Sequence, residues 1–434
     1  MTALAMDNRL SLEKQYVVGA RVESSLKKKR LVMKFGGTSV ASIERIENVA
    51  DRVKREVDAG HEIIVTVSAM AGATNQLVAW CSDIAPLYDA REYDTVVASG
   101  EQVSAGLLAM ALQKRGIEAR SWLGWQIGVH TDNVHGKARI LKIDTTLLEE
   151  RIAQGQVPVV AGFQGVGADN RITTLGRGGG DTSAVAMAVA LQADRCDIFT
   201  DVDGVYTTDP RIVQKARKIE RITYEEMLEM ASLGAKVLQI RSVEMAMKHG
   251  MPLQVLSSFE DRPGTFVIKE DAMMEQELVS GIAYSRDEAK ITLEHVPDRP
   301  GVAAAIFGPL TEANINVDMI VQNVSLGGKA TDLTFTVTKA DLTRAVEVLN
   351  TRKHDLQFRS LTSDANVVKI SVIGVGMRSH AGIAQRMFQA LAEKNINIQV
   401  ISTSEIKISV LLAEDYTELA VRALHTAYGL DSSA

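Results

Sequence analysis

Cysteine is scarce in this chain. Only Cys81 and Cys196 occur among 434 residues, one in a helical-looking segment and one before an apolar strand, with no CxxC or metal-ligand spacing. A disulfide framework and a cysteine-held metal are therefore excluded, and the two thiols read as buried groups in a reducing compartment. An excess of one charge is also lacking. The balance of 48 Lys and Arg against 54 Asp and Glu leaves a net charge of -6, which offers no basic footprint for nucleic acid. With 46% hydrophobic residues the composition is globular rather than extended and disordered. No run approaches the length of a membrane span, and the opening residues lack the basic, apolar and small-residue order of a signal peptide. The expectation is a cytoplasmic protein with no membrane and no nucleic acid among its partners.

A chain of this length divides into roughly two to four domains. Residues 1–30 fall outside the first strand pattern and end in Lys27-Lys28-Lys29-Arg30, a solvated tail that discourages edge pairing. Apolar strands at 31–35, 62–67, 119–123, 157–161, 196–200 and 253–256 then alternate with helices at 41–59, 102–115, 145–154, 182–193 and 224–234. That rhythm predicts an α/β domain over 31–270, its mostly parallel sheet sandwiched by helices.

After about residue 277 the rhythm changes and an internal repeat appears. Leu310 to Val317, with Asn314-Ile315-Asn316, realigns with Leu391 to Ile398, with Asn395-Ile396-Asn397, and Gly301 falls in register with Gly382. Two ferredoxin-like βαββαβ units are predicted, one over 286–362 and one over 366–431. The second lacks its last strand, and residues 277–285 are the natural segment to supply it. The second unit is then discontinuous, with the first inserted into it.

Five stretches carry chemistry. Leu31-Val32-Met33-Lys34-Phe35-Gly36-Gly37 runs a strand into a cation and two glycines, the outline of a phosphate site, although it also suits an ordinary strand exit. Ser68 to Thr74 is a small, hydroxyl-bearing loop at the end of a strand, where ligands of α/β sheets collect. Thr74 reads as a substrate contact or as a helix cap. Glu101 opens an apolar helix, either to suit the helix dipole or to meet a cationic substrate group. Gly176-Arg177-Gly178-Gly179-Gly180-Asp181-Thr182 makes a glycine-rich cradle at a helix start, with Arg177 able to fork a carboxylate. Thr200 to Arg211 follows a strand with acids and hydroxyls suited to ribose, base and metal-associated water, Tyr206 lying against an adenine ring. No GxGxxG follows a strand, which disfavours a dinucleotide enzyme.

Taken in order, these blocks make the sequence resemble the aspartokinases, ATP-dependent L-aspartate 4-kinases of the amino acid kinase superfamily with tandem C-terminal ACT domains. The resemblance covers nearly the whole chain beyond residue 30. It implies transfer of the ATP γ-phosphoryl to the aspartate side chain, giving 4-phospho-L-aspartate for lysine, threonine and methionine synthesis, with Mg²⁺ carried mainly by the nucleotide phosphates. By matching positions, Lys34 and Asp181 are catalytic, and Thr74, Glu101 and Arg177 hold aspartate. Lys34, Gly36, Gly37, Thr200, Asp201, Tyr206, Asp209, Arg211 and Lys236 surround ATP. Asp298, Asn316, Asp318 and Gln322 in the first ACT unit, and His380, Asn397, Ser404 and Glu405 in the second, bind lysine, threonine or both as effectors. Such units pair side by side, so a homo-oligomer is implied. Met273-Met274 lies where relatives begin a separate small subunit, which opens an α2β2 alternative. The family usually has Ser where Gly180 stands, so one hydroxyl contact to aspartate is lost or passes to backbone or water. Two rivals stand beside this reading: a carboxylate or carbamate kinase with a different acceptor, and a silent amino-acid sensor built on the repeated tail.

Overall fold

The structure is a computed structural model that describes residues 28–234, 237–271, 278–324 and 330–431. Lys236, Met273 and Met274 and the first 27 residues lie outside it.

The first half runs β1 Arg30–Phe35, α1 Ile43–Asp58, β2 Glu62–Val67, α2 Ala73–Ile84, α3 Ala90–Val97, α4 Ser99–Gln113, β3 Ala119–Trp122, β4 Val129–Thr131 and β5 Ile140–Ile143. It continues with α5 Thr146–Ala153, β6 Val157–Ala161, β7 Gln164–Val166, β8 Ile172–Thr174, α6 Gly179–Ala190 and β9 Arg195–Thr200. Then come β10 Arg221–Thr223, α7 Tyr224–Ser232, α8 Ile240–His249, β11 Leu253–Ser257 and β12 Thr265–Ile268. Eight strands form one sheet in the order β10-β12-β11-β9-β1-β2-β6-β3, parallel throughout except where β11 meets β12. The alternation of side chains along a strand explains both faces. Leu31, Met33 and Phe35 of β1 pack with α1 and α4. Val32 points the other way into the core of α6 and α8, and Lys34, two residues on, shares that α6 face.

A second sheet, β5-β4-β7-β8, lies outside the predicted elements, as do α3 and α8. All four of its strands have only three or four residues, and three of them show no alternation of buried and exposed positions, so periodicity gives no warning of them. One expectation is overturned. The helical run Ala90–Gln113 is 24 residues long, with a hydropathy of 1.3 in its most apolar window, and so has the length and composition of a membrane span. Packing accounts for it: Leu108 and Leu112 are fully buried beneath the sheet, and Asp94 and Glu101 lie buried in the same run.

The tail follows as β13 Gly281–Pro297, α9 Val302–Glu312, β14 Asp318–Val324, β15 Ala330–Val337, α10 Leu342–Thr351, α11 Lys353–Leu356, β16 Ser360–Ile373, α12 Ile383–Ala392, β17 Val400–Thr403, β18 Lys407–Ala413 and α13 Thr417–Ala427. It forms one sheet, β14-β15-β13-β16-β18-β17. The long strands β13 and β16 are shared. Gly281 to Ser285 pairs with Ile373 to Lys369, and Lys290 to Glu294 pairs with Asp364 to Ser360, with register shifts between. Each half therefore has its own helices and core, and the second unit takes a strand from the residues preceding the first. The repeated motifs do the same backbone work twice. Gly301 and Gly382 enter their helices at φ +90° and +92°, and Asn314 and Asn395 leave them at +55° and +54°, a left-handed exit that asparagine tolerates.

Polar contacts dock the tail on the first half. Glu226 is buried, closes a capping box with Thr223 at the start of α7, and also accepts from Ser280 Oγ at 2.5 Å and Val375 N at 2.9 Å. Lys407 pairs with Glu229 at 2.7 Å. Thr207 accepts from Ile282 N through its carbonyl at 2.7 Å, while its hydroxyl meets His425 Nε2 at 2.8 Å and His425 Nδ1 meets Asp431. Burial holds the His425 imidazole below its ordinary value, against the pull of Asp431. Its neutral ring then donates from Nδ1 to Asp431 and accepts from Thr207. Replacing Glu226 with Ala removes the carboxylate half of the capping box and strands Thr223 N–H and Val375 N–H, so a loss of about 2–4 kcal/mol is expected in the first urea transition. An unchanged transition would mean that Glu226 does not hold the two halves together.

Candidate active site

The carboxyl ends of β1, β2 and β9, adjacent and parallel in the sheet, bring three predicted segments together. Lys34 is 8% exposed, and its Nζ sits 2.5 Å from Asp181 Oδ1 in the first turns of α6. The N-cap of α6 is Gly178, in the left-handed region at φ +76° with no side-chain cap. Asp181 and Thr182 are therefore not caps; Gly179 N–H donates to Gly176 O at 2.9 Å, which leaves the Gly180 and Asp181 amides without a partner among the described residues at the helix start. A Cβ on Gly180 would come within 2.9 Å of Ser68 Oγ and 3.6 Å of Lys34 Cε. The missing serine hydroxyl at 180 thus has the Ser68 hydroxyl beside its place, a residue the sequence reading left unassigned.

Gly36 and Gly37 differ from their expected role in part. Neither adopts a positive φ. Gly36 N–H is taken by Phe199 O at 3.3 Å, so it does not face an anion. Gly37 is needed for close approach, since a Cβ there would meet Ala69 O at 2.9 Å. Its own N–H has no partner among the described residues. Behind both, Phe35 stacks on Phe199 with ring centroids 4.6 Å apart, which fixes β1 against β9.

Glu101, in the first turn of α4, is 4% exposed. Its Oε1 accepts from Ala69 N at 3.0 Å, but its Oε2 is buried with no hydrogen-bond partner. Burial outweighs the Ala69 bond and pushes its carboxyl up to about 7. A buried acceptor without a donor costs stability unless a ligand supplies one, and an ammonium is the chemical complement. Thr74 stands half-buried in the first turn of α2, whose N-cap is Gly72 at φ +84°; Thr74 is not the cap. Arg177 is exposed, just before α6, with no ion pair or hydrogen bond among the described residues.

Along the loop from Thr200 to Arg211 the side chains turn mostly to one another. Thr200 Oγ1 donates to Asp201 at 3.1 Å. Tyr206 OH donates to Asp203 at 2.9 Å, and Asp203 pairs with Lys218 at 3.1 Å. Asp209 holds Arg211 and accepts from Tyr284 OH at 3.2 Å; the Arg211 guanidinium keeps its carboxyl below the usual range. Asp209 and Arg211 therefore face the tail in this structure, apart from the cluster around Lys34. No group of three or more metal-ligating side chains occurs among the described residues.

The amino acid kinase family matches residues 29–257, and ACT domains match 291–353 and 370–428. The chain is 57% identical to an aspartate kinase of Stutzerimonas stutzeri over 405 residues, 93% of this chain and 98% of that protein. It is 56% identical to an aspartokinase of Pseudomonas aeruginosa over 406 residues, again 93% and 98%. The chain belongs to the aspartokinase family. Among solved structures, E. coli aspartokinase III in complex with aspartate and ADP aligns with a TM-score of 0.77 at 28% identity, covering 92% of this chain and 99% of that one. The same enzyme with lysine and aspartate aligns at 0.72 and 28%, covering 91% and 98%.

As an aspartokinase, the protein is a phosphotransferase with a carboxyl acceptor, and both rivals raised by the sequence give way. ATP fits the donor set: a buried ammonium, an unpaired glycine amide and an open helix start all meet anionic phosphate. Of the effector candidates, Asp318 and Gln322 lie on edge strand β14, and Asn397, Ser404 and Glu405 flank edge strand β17; the two strands lie together, Met319 of β14 packing with Val400 of β17. Asp318 is tied to Lys369 at 2.6 Å, which also pairs with buried Glu288. Ser404 N donates to Lys407 O, His380 Nδ1 meets Gly376 O, and Glu405 lies 3.7 Å from Arg378. Asp298, Asn316, Gln322 and Asn397 are exposed, with no side-chain partner among the described residues.

The raised Glu101 carboxyl has a pH consequence. Below about pH 7 it is protonated in the free enzyme and cannot complement an ammonium. Aspartate affinity by calorimetry is expected to be about ten-fold weaker at pH 6 than on the plateau above pH 8. Without ligand the sign reverses for stability: a raised carboxyl favours the fold below its ordinary value of 4.5, and that contribution is lost as pH rises through 7. Glu101→Gln should therefore raise the melting point of ligand-free enzyme at pH 8, worth about 3 kcal/mol at most, while turnover collapses. A pH-independent affinity would remove Glu101 from the substrate site.

Proposed function

We propose that the enzyme moves the ATP γ-phosphoryl onto the side-chain carboxylate of L-aspartate, as the first step toward lysine, threonine and methionine, in the cytoplasm. The observation that carries this reading is the unpartnered Oε2 of Glu101, set in the same end of the sheet as the Lys34–Asp181 pair. A carboxylate acceptor is already a nucleophile, so catalysis needs alignment and charge neutralisation rather than a strong base. Lys34 and the Gly37 amide neutralise the nucleotide phosphates, and Mg²⁺ bound to those phosphates adds to this when present. Asp181 orients Lys34. Glu101 receives the aspartate ammonium, Arg177 a carboxylate, and Thr74 with Ser68 lines the space between. Thr200, Asp201 and Tyr206 border the nucleotide, with Lys236, Asp209 and Arg211 assigned there by motif position.

In this reading residues 31–270 are the catalytic unit, 286–362 the first ACT unit, and 277–285 with 366–431 the second. Lysine, threonine or both act as feedback inhibitors on the β14 and β17 side. Ile320 and Ile401, exposed on those strands, favour pairing with a second copy there, and an α2β2 assembly is the alternative. The effector shifts a two-state equilibrium through its differential affinity, and the contacts of Thr207 and Asp209 with the tail give that shift a route to the nucleotide loop.

An aspartate-dependent ADP-release assay, titrated with lysine and threonine separately and together, tests the whole. Lys34→Ala should lower kcat at least about 10³-fold, the scale of removing a main charge-stabilising group, while calorimetric effector binding persists. Persistence of turnover would exclude the phosphate role. Asp318→Ala should relieve inhibition and leave uninhibited turnover within a few-fold, and coincident inhibition curves for variant and parent would remove Asp318 from the effector site.

A further inference from the structure

Asp94 is fully buried on α3, takes no part in the chemistry described above, and lies at the centre of a four-bond node. Its carboxylate accepts from Thr174 Oγ1 at the end of β8, from Gly136 N at 3.1 and 3.2 Å, and meets His135 Nδ1 at 2.7 Å. Those partners sit directly against the substrate loop. Ala138 N donates to Thr174 O at 2.9 Å, and a Cβ on Gly176 would strike Gly136 O at 2.9 Å. Gly176 itself is at φ +76° and immediately precedes Arg177. From the other side, Arg241 of α8 donates to Leu175 O at 2.6 Å and Ala138 O at 3.0 Å, so the path from Thr174 to Arg177 is held at both flanks. The helix that carries Asp94 runs straight into α4, which carries Glu101, and the junction is fixed where Gln164 Nε2 donates to Ala98 O.

We propose that Asp94 is a positioning residue that sets the distance between Arg177 and Glu101, and through it the length of amino-dicarboxylate the site accepts. The inference rests on the assignment of those two residues to the ends of the substrate. A buried acceptor bound by several donors is stiff, because its bonds reinforce one another and are shielded from water. Spacing between two recognition groups is what separates substrates differing by one methylene, which a loose pocket discriminates by only about 10–200-fold.

The test compares Asp94→Asn, Thr174→Val and Arg177→Ala by steady-state kinetics with aspartate and glutamate, alongside KM for ATP and the melting point. Asp94→Asn is expected to raise KM for aspartate at least about ten-fold, leave KM for ATP within two-fold, and narrow the preference for aspartate over glutamate. Thr174→Val, which removes one bond of the node, should move the same quantities in the same direction by less, and serves where Asp94→Asn fails to fold. If Arg177→Ala raises KM for aspartate but neither node variant does, the positioning role is overturned while the substrate assignment stands. If Arg177→Ala leaves KM for aspartate unchanged, the assignment itself is overturned. Parallel increases of both KM values with a lowered melting point in Thr174→Val would mark the node as structural only, and would also overturn the proposal.

Discussion

Everything in the catalytic half is arranged around one buried ion pair, Lys34 with Asp181. A buried ammonium at the carboxyl end of a central strand needs a charged partner, and Asp181 supplies it. The pair also joins two segments far apart in sequence, the end of β1 and the start of α6. The ammonium has three protons and spends one on Asp181, so it can still donate to an incoming oxygen without leaving its partner. Gly36 N–H is committed to Phe199 O, so in the proposed reading that ammonium, the Gly37 amide and the start of α6 are the groups left to meet an anion.

Glu101, assigned to the substrate in the proposed reading, runs on the opposite logic. Where Lys34 is satisfied in advance, Glu101 keeps one oxygen bare in a dry setting. Such a group lowers the stability of the empty enzyme and strengthens whatever cation fills the gap, the familiar exchange of stability against activity. The same helical run that supplies this acid is apolar enough to pass for a membrane segment. In that run Asp94 is fully bonded by Thr174, Gly136 and His135, while Glu101 keeps one oxygen without a partner.

How much of this was legible in the sequence depends on how local the signal was. The strand into Lys34, the glycines around Arg177 and the repeated Asn-Ile-Asn turns are local, and each is found where its residue types require it. The paired φ values at Gly301 and Gly382, and at Asn314 and Asn395, are the backbone image of a repeat already visible in the letters. Long-range partnerships were not readable. Nothing near Asp94 in the sequence announces Thr174, and nothing near Glu226 announces Val375. The strands of the small sheet were missed because three residues hold too little alternation. Asp209 and Arg211 sit in a recognisable loop, yet their direction, toward Tyr284, is set by a strand that arrives much later.

That last contact bears on how such proteins can be recombined. The Thr200 to Arg211 loop of the first half is propped from outside it, by Ile282, Tyr284 and His425. A regulatory module borrowed from another lineage would arrive without matching props unless the graft kept those three positions together with Thr207 and Asp209. The inherited unit is therefore larger than the catalytic fold: loop and prop must be exchanged together, and boundaries drawn at the linker cut through a shared joint.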